Sequence, residues 1–183
     1  MESRTEFRKG LARDAGEIAA LVNSSYRGES SKTGWTTEAH LLGGQRTDAA
    51  EVSGLMEKTG SIFILCMTES GLTASVHLEH CGNDAHLGML AVKPDLQGRG
   101  IGKRLLDEAE RTAIESWGVN RMKMAVLTFR AELIQFYERR GYRRTGIFRP
   151  FPEDPKFGIP KVRDLRFEWL EKPLLNPPIS WRS

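Results

Sequence analysis

The chain predicts an α/β fold, a mixed and mostly antiparallel sheet of about seven strands flanked by helices. Three observations carry this. Residues 61–67, 72–81 and 86–92 are strand-forming runs separated only by Glu-Ser-Gly and Gly-Asn-Asp turns, an antiparallel meander. The run from His86 leads into a long amphipathic helix and then the alternating run Arg121–Leu127, a crossover that makes its two strands parallel. Helical patterns precede the meander and return after the crossover.

Taken in order, Phe7–Leu11 is a first strand weakened by Gly10. Asp14-Ala-Gly-Glu17 has the form of a capping box, opening a helix to about Tyr26 with Ile18, Leu21 and Val22 inside. Ser24–Gly34 is polar and glycine-punctuated, hence a loop. Trp35–Leu42 predicts a short helix capped by Thr36 or Thr37 and ended by Gly43-Gly44. Asp48-Ala-Ala-Glu51 repeats the capping-box signal and opens a helix through Leu55 and Met56 that closes near Gly60.

After the meander, Ile101, Leu105, Leu106, Ala109, Ala113, Ile114 and Trp117 recur at helical spacing, with charged residues on the other face. Ala131–Arg140 is a further helix, stopped by Gly141 and turning Leu133, Ile134, Phe136 and Tyr137 inward. Tyr142–Phe148 and Val162–Glu171 are the closing strands. Between them Arg149–Pro160 is a proline-stiffened loop carrying Phe151 and Phe157, readable as a rigid connector or as a wall of a substrate pocket. Residues 173–183 are expected to be a flexible or surface-docked tail.

The 183 residues suit one domain, 1–183, with no internal repeat or linker. A 39% hydrophobic and 28% charged composition is that of an ordinary soluble globular protein. Net charge is +3 with scattered basic residues, which argues against nucleic-acid binding. Cys66 and Cys81 suggest reduced thiols, and no His/Cys spacing suggests a metal. The N-terminal residues have no apolar signal-peptide core and no run is long enough to cross a bilayer, so the expectation is a cytoplasmic protein with no membrane association. A homodimer is compatible with all of this.

The chemistry concentrates in Gln97-Gly98-Arg99-Gly100-Ile101-Gly102, placed where the long helix must begin. Glycines there permit positive φ and close approach of a ligand to main-chain N–H groups, and a helix N-terminus favours a phosphate or pyrophosphate. Arg99, Lys103 and Arg104 add charge. A Walker loop would need glycine where Gln97 stands and Ser or Thr where Arg104 stands. A Rossmann fingerprint would need Gly-x-Gly-x-x-Gly, whereas here every second residue is glycine and no βα series precedes it.

Gln97-x-x-Gly100-x-Gly102, following a strand that ends Leu90-Ala-Val92-Lys-Pro94, resembles the acyl-CoA-binding motif of the GNAT N-acetyltransferases, small bacterial-type single-domain members in particular. Phe136-Tyr137-Glu138-x-x-Gly141-Tyr142 resembles the family's second signature, and the element order extends the likeness over nearly the whole chain. The resemblance implies acetyl-CoA as cosubstrate, no metal, and a parallel strand pair splayed at the acyl-CoA site. It implies cofactor contacts from Leu90, Ala91, Val92, Gln97, Gly98, Arg99, Gly100, Ile101, Gly102 and Lys103. Arg130 replaces an asparagine common in the family, so its cofactor contact is open to a solvent-facing alternative. Tyr137 maps to the usual general acid for the leaving thiolate, against a purely packing role.

For the amine, His86 stands where some members carry a glutamate base, and Glu79 and His77 share the face of the preceding strand. Trp35 and Glu38 are weaker candidates for amine binding. The expected activity is acetyl transfer to a primary amine by direct attack in a ternary complex, with a small-molecule acceptor favoured by the aromatic and charged loops. The alternatives are a non-catalytic acyl-CoA-binding regulatory or interaction module, and nucleic-acid binding through the Gly-Arg-Gly loop.

Overall fold

The computed structural model describes residues 5–174. In chain order the elements are β1 (Glu6–Lys9), α1 (Ala15–Tyr26), α2 (Gly28–Ser31), β2 (Leu42–Gly43), α3 (Ala49–Glu57), β3 (Ser61–Thr68), β4 (Gly71–Cys81) and β5 (Asp84–Val92). There follow α4 (Ile101–Trp117), β6 (Arg121–Leu127), α5 (Ala131–Glu138), β7 (Arg143–Pro150), β8 (Ile159–Pro160) and β9 (Arg166–Pro173). Seven strands form one sheet in the order β1-β3-β4-β5-β6-β9-β7, antiparallel throughout except for the β5–β6 pair. The α/β class and the parallel crossover are as the sequence predicts.

The two sheet faces bury different helices. Leu105, Leu106, Ala109 and Ala113 of α4, with Ile134 and Tyr137 of α5, pack on Val76, Leu78, Leu87, Met122, Met124 and Leu170. On the other face Ile18 and Val22 of α1 and Val52 of α3 cover Phe63, Leu65 and Ala91. Burial of a leucine is worth roughly 1.5–3 kcal/mol against tenths for helix propensity, so the apolar stripes set these orientations. A small third core, Leu41, Leu42, Leu127 and Leu165, sits beneath a strap in which β2 pairs with β8.

Several local expectations are corrected. No helix spans 35–42: the segment is turns ending in β2. Its backbone and caps are used elsewhere, since the Glu38 N–H donates to Tyr26 O at 2.8 Å and the Thr37 hydroxyl is engaged by Ser31 at 2.6 Å and by the Ala39 N–H at 3.2 Å. The expected loop 24–34 contains the end of α1 and the single turn α2. The last strand starts at Arg166 rather than Val162, and α5 stops at Glu138. Pro173 closes β9 and Leu174 is buried, while the rest of the expected tail, 175–183, lies outside the described residues.

Asp48 caps α3 as expected, accepting from the Glu51 N–H at 2.8 Å. Asp14 does not cap α1. Its carboxylate accepts from the Leu11 N–H at 2.8 Å and takes both guanidinium arms of Arg8, at 2.7 and 2.9 Å, tying β1 to the start of the helix. The Arg8 hydrogen bonds, working against burial and helped by the Leu11 N–H, hold the Asp14 carboxyl down at about 2. A carboxyl depressed in the folded state stabilises above its unfolded pKa and loses that contribution as pH falls through the folded value. Asp14→Asn is therefore expected to cost about 2 kcal/mol at neutral pH by urea denaturation, with the difference from the parent shrinking between pH 4 and 2.

Candidate active site

The site begins where the parallel pair stops. β5 and β6 are in register only over Asp84–His86 and Arg121–Lys123, and beyond His86 the strands separate. On the other edge of β5, Met89 at φ 48° lies in an irregularity where the register to β4 jumps from His77↔Gly88 to Ser75↔Ala91. Two residues of β5 thus oppose one of β4, a bulge that bends the strand.

The freed main-chain groups find side-chain partners, as buried carbonyls must. Tyr26, the last residue of α1, donates its hydroxyl to Leu90 O. Val92 O accepts from Ser25 Oγ at 3.0 Å and from Gln97 Nε2 at 3.0 Å. Leu90 and Val92 therefore turn their carbonyls to the open edge of β5, while Ala91 and Val92 stay in register with Ser75 and Ala74 on the other edge.

A cavity of about 390 Å³ occupies this opening. Leu87–Leu90 of β5 and Met124–Leu127 of β6 face it from the two separated strands. Tyr137 forms part of its wall from the α5 side, and His77, Glu79, Glu51, Arg27, Glu38 and Arg46 bring polar groups to it. Phe151, Pro152 and Phe157 of the proline-rich loop complete the lining, so that loop is a pocket wall as well as a connector.

Tyr137 is 4% exposed, its ring set edge-on to Phe136 and Tyr142 at 5.2 and 5.7 Å. Among the described residues its hydroxyl has no hydrogen-bond partner. Burial drives its pKa far above that of a free phenol, so it is protonated at any physiological pH.

His77 is buried, bonded to Ser61 Oγ through Nε2 at 2.7 Å and packed on the Phe63 ring at 4.6 Å. Burial pushes its pKa down to about 4, leaving a neutral imidazole. Glu79 is paired with Lys58 at 2.6 Å, and that hydrogen bond holds its carboxyl below the ordinary carboxylate range. His86 is opposite Glu79 in register, but its ring packs on Trp169 at 5.2 Å and it is not among the residues lining the cavity. Burial, then Lys123, lowers its pKa.

Glu38 lines the cavity between two arginines. Arg130 Nη1 donates to Glu38 Oε1 at 3.0 Å, and Arg27 Nε lies 3.4 Å from Glu38 Oε2, with both guanidinium side chains 4% exposed. Arg130 is thus an internal ion-pair partner and not a solvent-facing residue. Arg27 also donates to Gly43 O at 3.2 Å and Phe157 O at 3.3 Å, bracing both edges of the strap. Gly158 is required there, since a Cβ would sit 2.5 Å from Arg27 Nη1 and its φ is 120°.

The glycine-rich loop leads into α4 with Gly98 and Gly100 at φ 79° and 77°, Gly100 being the N-cap. The first turn of α4 carries no acidic residue, and Arg99, Lys103 and Arg104 are exposed around it. Three N–H groups of this turn have no intrahelical acceptor, so the loop suits an anionic group. The Gln97 side chain turns inward instead. Besides Val92 O, it bonds Thr36 Oγ1 at 2.8 Å and accepts the Trp35 N–H at 2.9 Å. Trp35 packs on Phe136 at 5.7 Å and stands beside this loop, outside the cavity lining.

The lining residues Arg27, Arg46 and Glu51 are not singled out by the sequence as site residues. The Gly-Trp-Thr-Thr-Glu and Gly-Gly-Gln-Arg-Thr-Asp stretches around two of the turns were the available signal, since polar turns rich in specific side chains accompany binding loops.

Splayed parallel strands, a cavity between them and a glycine-rich helix start give an opened sheet beside a turn that suits an anionic group. Residues 59–144 match the family described as acetyltransferase (GNAT) domain. Over 78 residues it is 27% identical to the thialysine N-epsilon-acetyltransferase of Sus scrofa, a match covering 43% of this chain and 45% of that protein, under half the length of each. The ribosomal-protein-S18-alanine N-acetyltransferase of Escherichia coli superposes with TM-score 0.68 at 15% identity, covering 97% of this chain and 98% of that one. The ribosomal-protein-alanine N-acetyltransferase of Brucella melitensis gives TM-score 0.70 at 17% identity, covering 92% and 99%. At such identities these two structures speak to the fold alone.

Among the described residues Glu38 is the sole carboxylate in ion-pair contact with either buried arginine. Its loss leaves buried cations without a counter-charge, a change worth about 3–5 kcal/mol. Glu38→Gln is expected to lower thermal stability by that order, and to loosen the strap first, seen as faster amide exchange at Leu42 and Lys161. An unchanged melting temperature would contradict this account of the cluster.

Proposed function

We propose that this protein transfers an acetyl group from acetyl-CoA to a primary amine of a small molecule, by direct attack in a ternary complex in the cytoplasm. The observation that carries the reading is the cavity in the β5–β6 opening, walled by Tyr137 from one face of the sheet and by polar groups from the other. A volume of about 390 Å³ suits a small acceptor. The name of the curated relative, which specifies thialysine, agrees with that size class.

Acetyl-CoA, when bound, supplies the thioester that the amine attacks. Gly98 and Gly100 shape the turn, and the first-turn N–H groups of α4 with Arg99 and Lys103 hold the pyrophosphate. The Val92 main chain on the open edge of β5 aligns the arm that reaches into the opening. As the amine nitrogen bonds to the acyl carbon, the carbon–sulfur bond breaks, the nitrogen gives up its proton to water, and the Tyr137 hydroxyl gives one to sulfur. Tyr137 regains its proton from solvent. Burial raises the pKa of Tyr137, but the same dry surroundings raise the basicity of a leaving thiolate, which limits the cost of the transfer.

The amine reacts as the neutral fraction that bulk buffer maintains, and the proton it sheds on attack passes out through water. His77, at about 4, and Glu79, held low by Lys58, are too weakly basic to take a proton from an alkylammonium, and Glu79 acts by its negative charge. His86, opposite Glu79 in register but packed on Trp169 outside the cavity lining, takes no part in this step.

Thiol release from acetyl-CoA across a panel of primary amines tests the reading, with release expected for at least one small amine. Binding with no release for any of them would favour a non-catalytic acyl-CoA module. Tyr137→Phe should lower kcat by about 100-fold at unchanged acetyl-CoA affinity, and an equal rate at every pH would remove Tyr137 from the mechanism. Gly100→Glu should abolish acetyl-CoA binding by calorimetry, because it puts bulk, strain and negative charge at the helix start.

A further inference from the structure

The acetyl-transfer reading leaves one group at the cavity unexplained. Arg46 lines the cavity, yet among the described residues its guanidinium makes neither an ion pair nor a hydrogen bond. Its backbone is held firmly. Asn23 of α1 accepts the N–H groups of Arg46 and Thr47 on Oδ1 at 2.7 and 3.3 Å, and donates from Nδ2 to Thr47 O at 2.8 Å. Thr47 in turn donates its hydroxyl to Glu51 Oε2 at 2.6 Å. A fixed backbone carrying an unpaired guanidinium on a cavity wall is a preorganised anion receptor.

The wall beside it points the same way. Arg27 and Arg130 share a single carboxylate, Glu38, so that this buried cluster is one positive charge in excess. Arg27 Nε and Arg130 Nη2 are buried without a hydrogen-bond partner, on side chains only 4% exposed. Arg46 lies close enough to lower the Arg27 pKa by charge repulsion, after burial and against the opposing pull of Glu38. Unneutralised cations in a region shielded from water are costly unless an anion is brought to them.

Glu51 also reaches the lining, its carboxylate engaged by the Thr47 hydroxyl, so the α1 and strap side sets Arg27 and Arg46, with Arg130 behind the lining, against Glu38 and Glu51. From β4 come Glu79, paired with Lys58, and the neutral His77, and no arginine. The cavity therefore has its excess of cations on the α1 and strap side and a carboxylate on the β4 side. We infer that the acceptor is a small amino acid-type molecule, a primary amine bearing a carboxylate, with Arg46 and the adjoining Arg27–Glu38–Arg130 cluster receiving the carboxylate. This rests on the acetyl-transfer reading for the word acceptor, but not for the anion site itself.

The test separates the two. Calorimetric binding to the full-length protein in the presence of CoA is measured for the twenty standard amino acids, β-alanine and γ-aminobutyrate, each beside its carboxamide. Thiol release from acetyl-CoA is measured in parallel, with the corresponding decarboxylated amines added. At least one acid is expected to bind at least tenfold more tightly than its amide. Arg46→Gln should erase that preference, raising KM for the acid 10- to 100-fold with kcat little changed and leaving the amide's KM where it was, while Arg46→Lys should restore part of the preference. Preserved acetyl-CoA affinity shows that the variant is folded. Amides or decarboxylated amines that bind or react as well as the acids, no binding by any acid, or an Arg46→Gln effect equal on acid and amide would overturn the carboxylate site. Acid binding with Arg46 dependence but no thiol release would keep the anion site and overturn acetyl transfer.

Discussion

The arrangement depends on the early end of one strand pairing. β5 and β6 hold together for three residue pairs and then part, with the bulge at Met89 bending β5 on its other edge. An opened sheet exposes carbonyls that cannot be left unpaired in the interior, and this requirement fixes what surrounds the opening. Ser25 and Tyr26 have to bring the end of α1 against β5, and Gln97 has to fold its side chain back onto Val92. The same Gln97 side chain reaches Trp35 and Thr36, so the glycine-rich turn and the loop after α1 are positioned by one amide group.

From there the second constraint follows. With α1 ending at the opening, the next residue, Arg27, is placed inside the protein, and its charge must be met. Glu38 meets it, shared with Arg130 from the start of α5, and the chain between 35 and 42 takes up turns to deliver that carboxylate. Arg27 then ties down Gly43 and Phe157, the two sides of the strap. A buried ion cluster of this kind adds little net stability compared with apolar packing, and its value lies in fixing one arrangement of loops around the cavity.

Much of this was legible in the sequence, and the parts that were not share a cause. The meander, the crossover helix and the glycine-rich turn were readable because alternation, helical periodicity and positive-φ glycines are local signals. The inward face of Tyr137 was readable from its neighbours Leu133 and Ile134 in the same way. The segment 35–42 was misread as a helix because its threonines and acidic residue have the appearance of a cap, whereas the decisive partners of Glu38, Arg27 and Arg130, stand 11 positions before it and 92 after it. Asp14 was misread for a similar reason, its carboxylate being taken by Arg8 on the preceding strand. The choice between Arg130 as a cofactor contact and as a surface residue missed a third outcome, burial against Glu38, that only tertiary structure decides.

The central claim is that the β5–β6 opening is where the thioester end of the cosubstrate lies, and a crystal structure of the protein with CoA tests it most directly. The account predicts the pyrophosphate against the N-terminus of α4, the arm running along Leu90–Val92, and the sulfur within hydrogen-bonding reach of the Tyr137 hydroxyl. CoA bound on another face, or with its sulfur directed away from the opening, would contradict it.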